Sequence, residues 1–397
     1  MNLSHVPPAR LVLFALLALA LAGCRSHDFP QYPPNYREYA YVTNGGSNTV
    51  TVFDVVNVRQ DREIAVGQNP VAVAVSPTRN EVYVVNSGAA GGEGSVTVIN
   101  AENNSVAATI NVRRQPVSID IDSTGNLAYV ANSGSNTISV LDLKTRREIA
   151  AIGVGEEPVA ARISPDGKTL AVANRKANSV TLVDPAGRSV RAVFEGCPGA
   201  GDAVILPESS KVFVACSGGH QIMVIALAHA EAHPAQPGPA QTIPAQPDRL
   251  EAMLDVGQAP LQLALKPDGG EVFAVNSLSD TTSEVVTTTD DVLGATMIGD
   301  HPVRGLVSAD NALLYVANFR SQYVTVYSID DGKRVGSVHV GDGPSAMAFS
   351  SSGLLLFVVN NRSGDVAVVR TGSLSLFTLL PAGRTPNAIA VKAFKLP

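Results

Sequence analysis

The sequence predicts an all-β fold made of repeated four-stranded antiparallel sheets. Two observations predict it: a short apolar segment ending in Asn recurs at a nearly constant interval, and the segments between its copies alternate apolar and polar residues. The composition agrees, because the 397 residues include 34 Gly, 25 Pro and no Trp, with 45% hydrophobic and 16% charged residues. Such a chain has enough apolar residues for a large core and is not disordered.

The repeated segment is first seen at residues 41–44, Tyr-Val-Thr-Asn, and its eight copies start at positions 41, 83, 129, 171, 213, 273, 315 and 357. Five of the seven intervals are 42 residues long, and the other two are 46 and 60. Seven copies end in Asn, whereas the fifth ends in Cys216. A constant period of this length indicates one supersecondary unit repeated along the chain.

Each copy is followed by two further strand-like segments and then by a segment that begins with Pro. Residues 49–53, 148–154 and 70–77 are examples of the three kinds. Period-two alternation, interrupted by Gly, Asn and Asp-Gly, is typical of antiparallel strands joined by tight turns. Four strands in about 42 residues are typical of a β-propeller blade. We therefore predict eight blades, with seven as the alternative if the fifth or sixth unit is incomplete.

The two ends of the repeat array are out of phase. Residues 39–66 supply three strands with no Pro-led strand before them, and residues 386–394 are a Pro-led strand with nothing after it. We expect the C-terminal strand to complete the N-terminal blade and close the ring, which removes two exposed sheet edges. The predicted propeller domain is 39–397, with a Pro-rich loop insertion at 228–248.

The copies Tyr-Val-Thr-Asn at 41–44, Tyr-Val-Val-Asn at 83–86 and Tyr-Val-Ala-Asn at 129–132 resemble the YVTN β-propeller repeat family, which includes surface-layer and YncE-like propellers. The resemblance covers residues 39–397 and implies a rigid binding or scaffold module. Lactonase-like and haem d1-type propellers resemble the same architecture. They imply the alternative, an enzyme with its site at the channel mouth.

The N-terminus resembles a bacterial lipoprotein signal. Arg10 precedes the apolar run 11–22, which is too short to span a bilayer, and Leu-Ala-Gly-Cys at 21–24 resembles a lipobox. We predict a signal peptide at 1–23, a lipidated Cys24 and a Pro-rich tether at 24–38. The mature protein is then a monomeric, extracytoplasmic lipoprotein anchored in a membrane, in the periplasm, at the outer membrane or on the cell surface.

Aligning the repeats by their Pro identifies residues that face the central channel. The second and fourth positions after the Pro are mostly small, as close packing of neighbouring blades requires. The charged or amide-bearing exceptions are Asp120, Arg162, Asp202, Gln262 and Arg304. The first three lie on successive blades and predict either a structural chain of ion pairs or a polar ligand site. Arg304 has no charged neighbour at its level and is the candidate for holding an anion.

The residues just before each Pro are predicted to surround one mouth of the channel. The candidate ligand residues there are Arg114, Glu156, Asp300, His301, Asp342 and Arg384. An imidazole such as that of His301 titrates near neutral pH and binds metals. The alternative is a solvated loop histidine with no role.

Cysteine and histidine patterns add few further sites. Cys197 and Cys216 are predicted to form a disulfide in an exported protein, with two buried thiols as the alternative. His229 and His233 fall in the Pro-rich insertion, where ligands are poorly organised, so no metal is predicted. No CxxCH, GxSxG or GK[ST] motif is present. We predict no cofactor and no catalytic residue; the expected partner is an unidentified protein or small molecule. A net charge of −6 argues against nucleic acid.

Overall fold

The computed structural model describes residues 32–228 and 247–396. These residues form 32 strands in eight four-stranded antiparallel sheets. The fold is therefore an eight-bladed β-propeller, and the prediction of eight blades rather than seven is confirmed. No helix in this part of the chain is long and apolar enough to cross a membrane.

The strands are numbered along the chain, and within each blade they run from the innermost strand outward. Blade 1, at the N-terminus, contains β1 Tyr36–Asn44, β2 Thr49–Asp54 and β3 Arg59–Ala65; blade 2 is β4 Pro70–Val75, β5 Glu81–Asn86, β6 Glu93–Asn100 and β7 Ser105–Arg114; blade 3 is β8 Pro116–Ile121, β9 Leu127–Asn132, β10 Thr137–Asp142 and β11 Arg147–Gly153; blade 4 is β12 Pro158–Ile163, β13 Leu170–Asn174, β14 Ser179–Asp184 and β15 Ser189–Glu195. Blade 5 is β16 Ala200–Ile205, β17 Lys211–Cys216, β18 Gln221–Ala226 and β19 Arg249–Asp255; blade 6 is β20 Pro260–Leu265, β21 Glu271–Asn276, β22 Thr281–Val286 and β23 Asp291–Met297; blade 7 is β24 Pro302–Val307, β25 Leu313–Asn318, β26 Tyr323–Ser328 and β27 Lys333–His339; blade 8 is β28 Pro344–Phe349, β29 Leu355–Asn360, β30 Asp365–Arg370 and β31 Ser375–Pro381. The last strand, β32 Pro386–Lys395, is the innermost strand of blade 1.

The ring is closed by the two ends of the propeller. β32 pairs with β1 in antiparallel register from Tyr36 opposite Lys395 to Asn44 opposite Pro386. The innermost strand of every blade contacts the innermost strands of both neighbours. The first strand begins at Tyr36, three residues before the predicted domain start. Residues 36–38 pair with 393–395.

The core lies between the blades. The second and third strands of each sheet are almost completely buried, whereas outer strands such as β3 bury only Ile64. Tyr83 of blade 2 packs in one cluster with Leu141 and Leu143 of blade 3, and none of the three is more than 1% exposed. Burying such a side chain contributes about 1.5–3 kcal/mol.

The Asn that ends the second strand is a buried structural residue. In blade 1, Asn44 Nδ2 donates to Thr49 Oγ1 at 3.1 Å and Thr51 Oγ1 at 2.9 Å, which ties the second strand to the third. A Gly in the loop entering the blade packs against this amide. A Cβ on Gly67, for example, would lie 2.7 Å from Asn86 Cγ. Six blades contain this Gly–Asn pair: blades 1, 2, 4, 6, 7 and 8.

Blade 5 replaces the Gly–Asn pair with two cysteines. Ala200 is paired with Cys216 as Pro70 is with Asn86, so Cys197 occupies the Gly position and Cys216 the Asn position. The structure joins them in a disulfide, and both residues are fully buried. The loop that enters blade 5 is therefore covalently attached to the second strand.

Several sequence predictions lie outside the described residues. These are the signal peptide, Cys24, most of the tether, and the insertion between 229 and 246 with its two histidines. The two ends of the insertion lie together, because Asp248 Oδ1 accepts a hydrogen bond from Ala228 N at 2.8 Å. Asp248 also pairs with Arg191 at 2.6 Å.

Candidate ligand site in the channel and at its mouth

Three charged side chains meet across three successive blades on the inner strands. Asp120 projects from β8, Arg162 from β12 and Asp202 from β16. Arg162 Nη2 donates to Asp202 Oδ1 at 2.9 Å. The Asp120 carboxylate interacts electrostatically with the same guanidinium. One cation thus lies between two anions.

Polar side chains also accept hydrogen bonds from backbone amides at the unpaired edge of the innermost strands. Asp120 Oδ2 accepts a hydrogen bond from Ile163 N at 2.9 Å, and Asp202 Oδ2 accepts one from Leu263 N at 3.3 Å. In the same way Gln262 Oε1 accepts from Gly305 N at 2.7 Å. In each case the acceptor belongs to one blade and the amide to a following blade. These bonds occupy backbone donors that no strand pairs, so the three residues hold blade register.

Burial and the neighbouring charges shift the pKa values of this row in opposite senses. Burial raises the pKa of Asp120, while Arg162 and the amides of Ile163 and Ile121 act to lower it. Burial acts to lower the pKa of Arg162, but the carboxylates of Asp202 and Asp120 raise it above its usual value. The charge of Arg162 is therefore compensated by the two carboxylates that flank it.

Arg304 differs from the row because no carboxylate contacts it. Among the described residues it makes no hydrogen bond and no ion pair, and the equivalent residues of the adjacent blades are the neutral Gln262 and Ala346. Arg304 is exposed to water, although the inner strands of the ring lie around it. Burial lowers the pKa of Arg304, which Asp202 opposes and Arg162 reinforces. Guanidinium groups stay protonated in proteins, so Arg304 keeps its charge without a direct ion-pair partner among the described residues.

The mouth is built on one backbone geometry repeated eight times. The residue before each innermost strand has a positive φ, for example +54° at His301, and its carbonyl accepts the amide that follows the second strand. The residues in this conformation are Asn69, Gln115, Glu157, Gly199, Ala259, His301, Gly343 and Thr385. All eight loops thus share one backbone conformation, and they differ mainly in their side chains. A rigid frame with varied side chains is what a recognition surface needs.

The imidazole ring of His301 lies against neutral side chains. Its ring nitrogens lie 3.0 and 3.3 Å from Ser277 Oγ, and its backbone amide donates to Asp280 Oδ1 at 2.9 Å. No carboxylate contacts the ring among the described residues. A hydrolytic base needs a third group that orients the imidazole toward the nucleophile. Among the described residues, Ser277 and His301 have no such third group.

Two mouth residues were missed by the sequence analysis. The Arg362 guanidinium lies 4.4 Å from the centroid of the Phe319 ring and 3.7 Å from Asp342. The Phe319 ring also packs against His301, with centroids 6.3 Å apart. The available signal was the position of Phe319 directly after Asn318, where no other blade has an aromatic residue.

The remaining predicted mouth residues are scattered. Glu156 pairs with Lys176 at 3.0 Å, beside a polar cavity of about 410 Å³ between blades 3 and 4. Arg114, Asp300 and Arg384 are exposed and belong to no ion pair among the described residues. Residues 32–228 and 247–396 contain no group of three or more His, Cys, Asp or Glu side chains placed to hold a metal.

Comparison with known proteins identifies the fold. Residues 39–154, less than a third of the chain, match the family model described as lactonase, 7-bladed β-propeller. The dihydro-heme d1 dehydrogenase NirN in complex with DHE is 15% identical with a TM-score of 0.69, covering 91% of this chain and 76% of its own. Apo AztD from Citrobacter koseri is 13% identical with a TM-score of 0.68, covering 90% and 98%. Kuenenia stuttgartiensis hydrazine synthase is 22% identical with a TM-score of 0.55, covering 83% and 92%. No curated protein matches significantly.

These similarities are to propellers, and at such identities they show the fold alone. The lactonase family model is that of a propeller with seven blades, whereas this structure has eight. The protein is thus an eight-bladed β-propeller with a charged channel.

Proposed function

We propose that this protein is an extracytoplasmic lipoprotein whose propeller binds an anionic group of its ligand in the channel at Arg304. The lipobox-like segment ending in Cys24 supports the anchor. The observation that carries the binding site is the guanidinium of Arg304, which faces the channel and has no ion-pair partner among the described residues, whereas Arg162 in the neighbouring row is paired with Asp202. Charge-assisted hydrogen bonds to an anion would supply what the protein leaves unmade.

The experiment titrates the mature protein with phosphate, citrate and acetate by isothermal calorimetry, with wild type, R304Q and R147Q compared. R147Q is the matched control, because it removes an exposed arginine of the outer strand β11, away from the channel and its mouth. We expect saturable binding of at least one anion that R304Q weakens tenfold or more and R147Q leaves unchanged. Equal affinity for wild type and R304Q would overturn the site.

The anchor is tested separately. We expect radiolabelled palmitate to be incorporated into the wild-type protein in its native envelope and not into Cys24→Ser. Labelling of C24S, or release of wild type by salt alone, would contradict the lipoprotein assignment and leave the channel site untouched.

The second candidate is a propeller enzyme of lactonase-like or haem d1-related type. It is favoured by the family-model match over 39–154 and by the likeness to NirN. The neutral surroundings of His301 speak against a hydrolytic triad at the mouth. Lactone hydrolysis by the purified protein that is lost in H301A would favour the enzyme over the binding module.

A further inference from the structure

The interface between blades 6 and 7 contains polar residues where the other interfaces are apolar. Val50 and Val52 of β2 and Ile64 of β3 pack in one cluster with Ile99 of the next blade. In the strand register of blade 6, Thr282 stands at the position of Val50, Glu284 at that of Val52 and Thr296 at that of Ile64. In the other seven blades the positions of Thr282 and Glu284 hold fully buried Val, Ile or Leu: Val50, Val52, Val96, Val98, Ile138, Val140, Val180, Leu182, Ile222, Val224, Val324, Val326, Val366 and Val368.

The substitutions leave a pocket rather than a packed core. Its volume is about 270 Å³, and Phe273 and Tyr327 line it together with the three polar residues. Entry is from the outer strand β23, where a Cβ on the exposed Gly294 would meet no atom within 4 Å. Leu293, which is 63% exposed, stands at this opening.

The polar groups that line the pocket are free to bind a ligand. Thr282 is 3% exposed as a residue. Within the described residues, the hydroxyls of Thr282 and Thr296 and the carboxylate of Glu284 make no hydrogen bond or ion pair, and the pocket leaves them open to solvent. Departures of this kind from the local rules of a fold are concentrated at functional sites.

The charge around the pocket is negative. Lys266, the cation whose charge acts on Glu284, is already bound to Glu271 at 2.5 Å and to Asp268 at 3.5 Å. Burial raises the pKa of Glu284, Glu271 raises it further, and Lys266 acts in the opposite sense. The pocket therefore presents one carboxylate that lacks a counter-ion.

We propose that this pocket binds an ammonium group on a short alkyl chain, held by the Glu284 carboxylate and the hydroxyls of Thr282 and Thr296. The rings of Phe273 and Tyr327 and the side chain of Leu293 provide apolar walls for the alkyl part, and aromatic faces attract cations. A metal ion is the poorer fit because a single carboxylate is present. The ammonium belongs either to a free alkylamine or to a lysine side chain of a partner protein.

The test measures binding of n-butylamine, butan-1-ol and Nα-acetyl-lysine N-methylamide to the full-length mature protein by calorimetry at neutral pH. The variants are E284Q, which keeps the shape and removes the charge, and D291N, a matched control that removes an exposed carboxylate from the same blade outside the pocket. We expect wild type and D291N to bind n-butylamine at least tenfold more tightly than butan-1-ol, and E284Q to lose that preference.

The lysine derivative distinguishes the two sources. Tighter binding of n-butylamine than of the lysine derivative supports a free alkylamine, whereas tighter binding of the lysine derivative supports a lysine side chain of a partner. Equal binding of amine and alcohol by wild type, or an unchanged preference in E284Q, would overturn the proposal. E284V serves as a second variant: because seven blades carry an aliphatic residue there, it is expected to fold and to lose amine binding.

Discussion

Blades 5 and 6 depart from the common blade plan in opposite directions. In blade 5 a disulfide between Cys197 and Cys216 replaces a Gly–Asn contact, so a covalent link is added. In blade 6 Thr282 and Glu284 replace buried aliphatic residues, so packing is removed. Each blade of a repeat protein contacts only its neighbours, and such changes therefore remain local. The comparison teaches that one blade can gain stability while the next gives up packing for a polar pocket.

Closure of the ring gives the upper limit for the effect of any single blade change. Truncation before Pro386 removes β32, leaves the edge of β1 unpaired and exposes the interface with blade 2. We expect it to abolish most of the about 5–15 kcal/mol of unfolding free energy typical of a folded domain. Urea denaturation checks this, and an unchanged midpoint would show that blade 1 does not need its last strand.

The disulfide of blade 5 should have the next largest effect. Its cysteines are 19 residues apart, so Cys216→Ser is expected to lower the unfolding free energy by about 3 kcal/mol, as loop closure of that size predicts. The double variant C197G/C216N recreates the Gly–Asn pair of six other blades and should recover at least half of the loss. Urea denaturation without reductant measures both. A double variant no more stable than C216S would show that blade 5 cannot adopt the common contact.

A substitution in the polar pocket of blade 6 should raise the stability of the protein rather than lower it. Glu284→Val restores the residue type of the other blades, and we expect it to raise the unfolding free energy by about 1–2 kcal/mol through apolar burial. The mirror variant Val52→Glu, at the same position in blade 1, should lower it by about 3 kcal/mol or more because a charge enters a closed core. Thermal and urea unfolding of both variants check the pair. Destabilisation by E284V would mean that the carboxylate has a structural role.

The smallest effect concerns pH. Because burial and Glu271 raise the pKa of Glu284 in the folded protein, the folded state holds its proton at pH values where the unfolded chain has released it. Stability from this group is full below the ordinary pKa of a glutamic acid and is lost as pH rises through the raised pKa. The difference in melting temperature between wild type and E284Q should therefore change across that interval, with wild type losing stability relative to E284Q as pH rises. A difference independent of pH would contradict the sign.

Much of the architecture followed from local patterns. The 42-residue period predicted the blades, and the phase difference between residues 39–66 and 386–394 predicted the closure that β1 and β32 make. The repeat alignment also located Asp120, Arg162 and Asp202 on adjacent inner strands, because a fixed register assigns each position to one face. The pocket around Glu284 carried a sequence signal too, since Thr-Thr-Ser-Glu at 281–284 stands where residues 49–52 read Thr-Val-Thr-Val.

Contacts between blades were harder to predict. Arg362 and Phe319 are 43 residues apart, and their stacking depends on the direction of two mouth side chains on neighbouring blades. The same holds for the hydroxyl of Ser277 near His301.

The sequence by itself determined the blade, the number of its copies and the way the ring closes, because alternation and turn residues act within about 42 residues of chain. The tertiary structure alone decided which side chains meet at the mouth and in the interface between blades 6 and 7. Arg362 stacks on Phe319, whereas Glu284 has no ion-pair partner among the described residues. The reason is that a charge interacts according to distance and surrounding dielectric, and both are set only when neighbouring blades pack.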